Sequence, residues 1–214
     1  MDDTQTRNTG RLALAAGGVA IGSAACLAGF FATGEPPALG MINDLGNATA
    51  AILTGWLAWR LRGENASPTA KAAVGLALAG AAILALGSGL VLSGTTGFFL
   101  GGLVSSLGSA GIGAWLIAAN RTQRDGVAAR WPRSLRRLGL AAGALMAAGV
   151  VAVPGIALRL DDMATAPAWV WIAFLSWLGT YVAFPAWAIW MGAVATRTAD
   201  RERLAPAGSR AVAE

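Results

Sequence analysis

The sequence predicts an all-α fold, a polytopic membrane bundle of six transmembrane helices, and three observations lead to this fold class. Hydrophobic residues make up 56% of the 214 residues, charged residues only 13%, and the mean hydropathy is +0.58. This is more apolar surface than one water-soluble core can bury. Glycine contributes 29 residues, and small residues let helices pack closely in lipid. Charge-free stretches of transmembrane length recur along the chain.

The first two spans are predicted at residues 12–33 and 41–59. A bilayer core of about 30 Å requires roughly 20 apolar residues in a helix. Both stretches meet this requirement, and the second is the shortest of the set. It opens with a polar turn that contains Asn43, Asp44 and Asn47.

A cleaved signal is the alternative for the first stretch. Residues 12–22 precede the sequence Ser-Ala-Ala-Cys at 23–26, which is similar to a lipoprotein cleavage box. Apolar sequence continues through Phe31, and the N-terminus opens with acidic residues where a signal has a basic cluster. An uncleaved first span is therefore favoured.

The third and fourth spans come from one uncharged run over residues 72–120. A single helix of that length would measure about 74 Å, more than twice the bilayer core. The run must reverse, and Ser-Gly-Thr-Thr-Gly at 93–97 has the chemistry of a turn. The third and fourth spans are therefore predicted at 72–92 and 98–119. Two further uncharged stretches predict the fifth and sixth spans at 138–158 and 168–194.

The charge distribution predicts the orientation. When successive loops are assigned to opposite sides, every one of the sixteen Lys and Arg residues except Arg159 falls on one side. Such a bias marks the cytoplasmic side, so we expect both termini in the cytoplasm of a bacterial inner membrane. Residues 1–197 form one predicted domain and 198–214 a flexible cytoplasmic tail. The Arg-rich loop 121–137 indicates lipid headgroups and no nucleic acid, because it is short and has one aromatic residue, Trp131.

Short internal matches raise the question of repetition. Residues 11–17 and 137–143 agree at six of seven positions, and a similar run occupies 75–80. A threefold helical-hairpin repeat and simple Ala/Gly/Leu composition both explain this pattern. Glycine pairs four residues apart predict close helix packing inside the chain or, alternatively, a homo-oligomer. These pairs are Gly18 and Gly22, Gly97 and Gly101, and Gly139 and Gly143.

Missing residue types exclude several classes of chemistry. The chain has no histidine, which excludes His-based triads and imidazole-ligated haem or zinc. Cys26 is the single cysteine, so no intrachain disulfide or CxxC site can form. Lys71 is the single lysine and lies at a span boundary, which disfavours a retinal Schiff base. We expect no metal site and no cofactor.

The polar start of the second span has two interpretations. Asn43 and Asn47 are four residues apart and share a helix face, and Asp44 borders it. Asn43 or Asp44 is expected to cap this helix, since side-chain oxygens accept from the free N–H groups of a first turn. The alternative is a ligand-binding or acidic site, with Asp44 and Glu35 as candidate general acids. Thr95, Thr96 and Arg159 are candidate neighbours of Asp44.

The last predicted span is rich in aromatic residues and has Pro185 in its interior. Proline removes one helical hydrogen bond, here to the carbonyl of Tyr181, and bends a helix. Trp177, Tyr181 and Phe184 follow helical spacing and are predicted to line one face for an apolar ligand. The remaining tryptophans are expected to anchor the helix at the membrane interface, as aromatic belts do: these are Trp169, Trp171, Trp187 and Trp190.

Two segments resemble those of small uncharacterised bacterial six-span integral membrane proteins. Residues 34–44 read Gly-Glu-Pro-Pro-Ala-Leu-Gly-Met-Ile-Asn-Asp, a Pro/Gly turn followed by Asn-Asp at the entry to helix two. Residues 181–192 read Tyr-Val-Ala-Phe-Pro-Ala-Trp-Ala-Ile-Trp-Met-Gly, with an aromatic-Pro-x-Trp-Ala-x-Trp pattern. The resemblance implies a shared six-helix fold and carries no activity.

Two functions remain open from the sequence. The first is a non-enzymatic membrane protein that binds or passes a small lipophilic molecule, or that serves as a subunit of a larger complex. The second is a membrane-embedded enzyme that acts on a lipid or isoprenoid with a carboxyl group as general acid. The predicted binding residues are the same for both: Asn43, Asp44, Asn47, Trp177, Tyr181 and Phe184.

Overall fold

The computed structural model describes residues 3–62, 66–121 and 131–204, and these residues form an all-α bundle. The first four helical rods are uninterrupted. They are α1 (Asp3–Ala32), α2 (Pro37–Leu61), α3 (Pro68–Leu92) and α4 (Phe98–Arg121).

The fifth and sixth rods are interrupted. The fifth consists of α5 (Arg133–Ala147), a 3-10 turn (Ala148–Val151) and α6 (Ala152–Ala157). The sixth consists of a 3-10 turn (Ala168–Ile172), α7 (Leu175–Leu178), a π-helical turn (Gly179–Ala183) and α8 (Phe184–Leu204).

Five of the six described rods are long and apolar enough to cross a membrane, and α2 is the exception. With 25 residues α2 has sufficient length, but its polar residues lower its hydropathy. The fold is thus that of a multi-pass helical membrane protein. The five stretches are Thr4–Ala32, Pro68–Leu92, Phe98–Arg121, Arg133–Ala157 and Ala168–Asp200.

The rods pack in chain order and close into a ring. Helix α1 packs against α2 and α8, α2 against α3, α3 against α4, and α4 against α5. Helix α5 then contacts α7, the π-helical turn and α8, which closes the ring. The closure brings α2 and the sixth rod to the same interior, although they lie far apart in the sequence.

Local sequence determines where the helices begin and end. Gly34 and Glu35 have φ angles of 81° and 62° in the turn between α1 and α2. The predicted reversal at 93–97 is confirmed, because α3 ends at Leu92, α4 begins at Phe98, and Gly94 has a φ of 69°. The first turn of α4 is capped from a distant loop: Asp161 accepts hydrogen bonds from the amides of Gly97 (2.6 Å) and Leu100 (3.0 Å).

Glycines let α3 and α4 approach closely. A Cβ on Gly80 would lie 2.5 Å from the carbonyl oxygen of Gly108, so neither position accommodates a larger residue without a shift of the backbone. Two of the three predicted glycine pairs also face neighbouring chain segments, which supports packing within the chain. Around Gly18 and Gly22 no atom lies within 4 Å of an added Cβ. Self-association through that face, and the hairpin repeat, stay predictions.

Prolines explain both irregular rods. Pro185 lies in the first turn of α8, directly after the π-helical turn, so the predicted disruption of the helix near Tyr181 is present. Pro154, which lies in α6, has the same effect on the fifth rod, where the 3-10 turn precedes it. No kink was predicted at Pro154.

One expectation for the tryptophans is wrong. Trp187 was expected at the membrane interface, but it is fully buried. Its ring meets Trp115 and Trp131 edge to face at centroid distances of 6.1 and 5.6 Å. Trp131, the one aromatic residue of the loop 121–137, is likewise buried in the core. Residues 122–130 of that loop lie outside the described residues, and α8 extends to Leu204, past the predicted boundary at 197.

Candidate functional site

A cluster of polar side chains lies buried between α1 and α2. Ser23 of α1 donates from Oγ to the backbone oxygen of Asn43 at 2.8 Å. The same hydroxyl lies 3.0 Å from Oδ1 of Asn43 and 3.1 Å from Oδ1 of Asn47. All three residues are less than a tenth exposed. Ser23 thus orients both asparagine amides, so that their nitrogens point away from α1.

The expected capping of α2 is wrong. The helix begins at Pro37 with Pro36 as its N-cap residue, and no side chain caps it. Pro37 fits the first position of the helix, because the N–H that proline lacks has no partner within a first turn. Asn43 and Asp44 therefore lie well inside the helix with buried side chains, and Asn43 contacts Ser23 of α1.

Asp44 is a buried carboxylate with little compensation from the protein. It is 7% exposed and accepts a hydrogen bond from Nδ2 of Asn43 at 3.4 Å. In the described part of the chain the one ion pair joins Arg7 to Asp200, so Asp44 has no counter-charge there. The candidate neighbour Thr95 bonds to Ser93 instead, and Arg159 takes a left-handed φ of 52° in the turn after α6.

The π-helical turn brings Tyr181 to this cluster. The amide Nδ2 of Asn47 donates a short hydrogen bond to the Tyr181 hydroxyl, which in turn donates to Oδ1 of Asn43 at 3.4 Å. Thr180 holds the same turn on α4 through a hydroxyl contact of 2.9 Å with Ser109. Gly179 permits close contact with α5, since a Cβ there would lie 2.7 Å from the backbone nitrogen of Met146.

A small cavity of about 20 Å³ lies next to this cluster. Five of the six predicted binding residues line it, namely Asn43, Asp44, Asn47, Trp177 and Tyr181. The rest of its wall comes from α3 and α4 and from the residues at their ends. The structure thus brings the polar turn of α2 and the aromatic face of the sixth rod to one space, although their role in binding stays a prediction.

The sixth predicted binding residue, Phe184, lines a neighbouring cavity that also measures about 20 Å³. Asn47 lies on the wall of both cavities. The second cavity is more apolar, with Leu84, Ile112 and Met146 on its wall. Phe184 therefore belongs to the same interior region but does not share the space beside Asp44.

Glu35, the other candidate acid, lies elsewhere. It is exposed in the turn between α1 and α2 and does not line either cavity. Of the two carboxyl groups singled out in the sequence, Asp44 alone lines the cavity.

Three residues of the region were missed by sequence reasoning. Ser23 was considered only as part of a cleavage motif, yet it anchors both asparagines. Its polarity within an apolar span was the signal that could have identified it. Phe98 and Ser105 line the cavity from α4, and nothing in their local sequence distinguishes them from ordinary packing residues.

Comparisons with known proteins place the chain in no family. No family model, curated protein or solved structure matches it. The fold and the cavity therefore define a class only, a multi-pass helical membrane bundle with a polar and aromatic cavity in its interior.

Proposed function

We propose that this chain is a six-span integral membrane protein of the bacterial inner membrane that binds or passes a small lipophilic molecule. The proposal includes two further points: both termini are cytoplasmic, and the chain is related to small bacterial six-span membrane proteins. The bilayer is its primary partner, and a second copy or another membrane subunit is a further candidate.

The proposal counts α2 as a transmembrane span in addition to the five apolar stretches described above. Over residues 41–59 its large exposed side chains are apolar: Met41, Ile42, Leu45, Ile52 and Trp56 are each more than half exposed. Its buried side chains include Asn43, Asp44 and Asn47. A helix in water has the opposite arrangement, so this inverted polarity supports a lipid-facing surface.

The observation that carries the binding function is the shared cavity. Ligand sites in helical bundles are typically apolar and aromatic, with a few convergent polar groups. The cavity between α2, α4 and the sixth rod has this composition, with Trp177, Tyr181 and Phe98 beside three polar residues of α2. Polar residues inside a membrane bundle are costly, which supports a functional reason for them.

Catalysis on a lipid or isoprenoid is the second candidate, since Asp44 lies beside aromatic rings that suit an apolar substrate. General acid chemistry also needs a group that takes the proton back. Tyr181 is the other titratable residue on the described cavity wall, and its hydroxyl is engaged by both asparagines. Binding is therefore favoured over catalysis.

Fluorine NMR with 5-fluorotryptophan tests the binding function. The chain has nine tryptophans, and a Trp177→Phe variant assigns the Trp177 resonance. We expect neopentylbenzene, a neutral apolar probe, to widen the cavity as it binds and to shift this resonance saturably in detergent micelles. Trp171 is 47% exposed and should show only the gradual change of a micelle-facing ring. If the Trp177 shift does not saturate, the binding function is contradicted.

A further inference from the structure

The C-terminal end of α2 has two arginines that lie over exposed tryptophan rings. The Cζ atom of Arg62 is 3.9 Å from the ring centroid of Trp59, and the Cζ atom of Arg60 is 5.7 Å from that of Trp56. Both arginines are exposed, and both tryptophans are about half exposed. The face of an aromatic ring attracts a cation, so each ring holds one guanidinium group in place. We call these four residues the Arg–Trp patch.

The two guanidinium groups of the patch have no acidic partner within the described residues. The one ion pair found there joins Arg7 to Asp200. A ring contact occupies the face of a guanidinium group, whereas its five N–H donors point outward in its plane. These donors are therefore available to an anion. Phosphate suits them, because its oxygens can accept two parallel hydrogen bonds from one arginine.

The patch continues an apolar surface of α2. Ile52, Trp56 and Arg60 follow one another at intervals of four residues and so share one helix face, and Leu45 lies two turns before Ile52 on that face. Leu45 and Ile52 are each more than half exposed. A molecule that covers this surface must combine an apolar chain with an anionic head. An anionic phospholipid has this chemistry.

The position of the patch along α2 suits a lipid headgroup. Trp56 and Trp59 lie in the last two turns of the helix, and tryptophans and arginines are typical of the region where a span reaches the headgroups. Residues 62–67 connect α2 to α3, and the two helices pack against each other. Lys71 in the first turn of α3 is exposed and adds a third positive charge at this end of the bundle.

We propose that the Arg–Trp patch and Lys71 form a site for one anionic phospholipid, whose phosphate accepts hydrogen bonds from Arg60 and Arg62 while its chains cover the apolar face of α2. The inference goes beyond the cavity and rests on one part of the proposed function, the position of α2 in the membrane. Positive charge without a defined site would attract anionic lipids loosely to every basic loop, with no preference for this helix end.

Titration with two phospholipids tests the site. Full-length protein labelled with 5-fluorotryptophan is held in micelles of a neutral detergent, and a Trp59→Phe variant assigns the Trp59 resonance. Dioleoylphosphatidylglycerol and dioleoylphosphatidylcholine have the same chains, but only the first has a net negative charge. We expect phosphatidylglycerol to shift the Trp59 resonance saturably. Phosphatidylcholine should change it only gradually, as it replaces detergent around the helix.

The combined substitutions Arg60→Gln and Arg62→Gln should weaken the binding of phosphatidylglycerol by about tenfold or more, since each basic residue near an anionic headgroup contributes roughly fivefold. Both side chains are exposed, so the variant should fold. The matched control combines Arg11→Gln with Arg137→Gln, which removes the same charge from exposed residues that lie over no tryptophan ring in the described part of the chain. Its affinity should change by less than about twofold, because distant charges are screened by salt.

Equal losses in the two double variants would overturn the inference, because charge at any helix end would then be sufficient. A gradual change with both lipids would also overturn it, although α2 would still be a lipid-facing span. If neither lipid changes the Trp59 resonance, both the inference and the assignment of α2 as a span fail. The Trp177 test of the cavity is independent of each of these results.

Glycerol 3-phosphate separates the lipid from a free phosphate. It presents a phosphate group without the chains, and it is added to the wild type under the same conditions. We expect no saturable shift of the Trp59 resonance, because the apolar face of α2 then contributes nothing to binding. Saturation by glycerol 3-phosphate at the affinity of phosphatidylglycerol would overturn the lipid as the occupant of the site.

Discussion

The side-chain amide of Asn47 donates a hydrogen bond to the hydroxyl of Tyr181, although 134 residues separate them in the sequence. This bond joins α2 to the π-helical turn of the sixth rod across the interior of the bundle. It depends on two conditions, the closure of the ring of helices and the irregular turn before Pro185. The bond therefore reports on the correct assembly of the cavity.

We expect Tyr181→Phe to lower the free energy of unfolding by about 1 kcal/mol, because the Asn47 amide loses its acceptor in a buried place. Unfolding by dodecyl sulfate in mixed micelles, followed by far-UV circular dichroism, measures the change. A double-mutant cycle with Asn47→Ala isolates the pair. Strictly additive effects in that cycle would show that the two side chains do not interact.

The cap that Asp161 supplies to α4 gives a second prediction. Replacement by alanine frees the amides of Gly97 and Leu100 and should cost about 1 kcal/mol, as loss of a helix cap does. Hydrogen exchange of these amides should become faster. Asp162→Ala is the control, since Asp162 bonds within its own loop, to the amide of Ala164 at 2.9 Å. Equal acceleration by both variants would contradict the long-range cap.

Local features of this chain could be predicted from its sequence, and distant pairings could not. The turn at 93–97 was readable because uncharged length and turn chemistry are properties of one segment. The start of α2 was predicted too late, at residue 41. Pro37 suits the first turn of a helix, but the polar residues that follow suggested a later start and a capping role.

The environment of particular side chains was harder to predict. Trp187 has the residue type and the position near a span end that are typical of a membrane anchor, yet its ring packs against Trp115 and Trp131. Its burial follows from which rods meet, a property of the whole ring. The pairing of Tyr181 with Asn47 has the same origin, and helical spacing could place Tyr181 on a face without identifying the opposite residue.

The close contact of α3 and α4 gives a third prediction. A Cβ on Gly108 would lie 2.6 Å from the carbonyl oxygen of Gly80, so Gly108→Ala forces the backbones apart. We expect a loss of about 2 kcal/mol in the free energy of unfolding. Gly89→Ala is the matched control, because Gly89 lies in α3 with no atom within 4 Å of an added Cβ. This variant should be neutral or stabilising by up to about 1 kcal/mol. Equal losses in the two variants would contradict close packing at Gly108.

The orientation of the chain in the membrane gives the fourth prediction. Basic residues near α5 have a structural use as well as a topological one, since Arg136 donates from Nε and Nη2 to the backbone oxygen of Asn120 at 3.2 and 3.0 Å. Such contacts stabilise the last turn of α4 whichever side it faces. The contact of Arg136 with α4 therefore does not indicate the side of the membrane. The cytoplasmic assignment depends on the excess of basic residues in one set of loops, and the orientation needs its own measurement.

Single cysteines in a Cys26→Ser background measure that orientation. Ser134 and Ala164 are both exposed and lie near opposite ends of the fifth rod. With a membrane-impermeant maleimide on intact cells, we expect Ala164→Cys to be labelled and Ser134→Cys to be labelled only after permeabilisation. The Cys26→Ser parent should remain unlabelled, which shows that the signal comes from the introduced thiol. Labelling of Ser134→Cys in intact cells would place the start of α5 outside the cytoplasm. The predicted orientation, with the basic loops in the cytoplasm, would then be wrong.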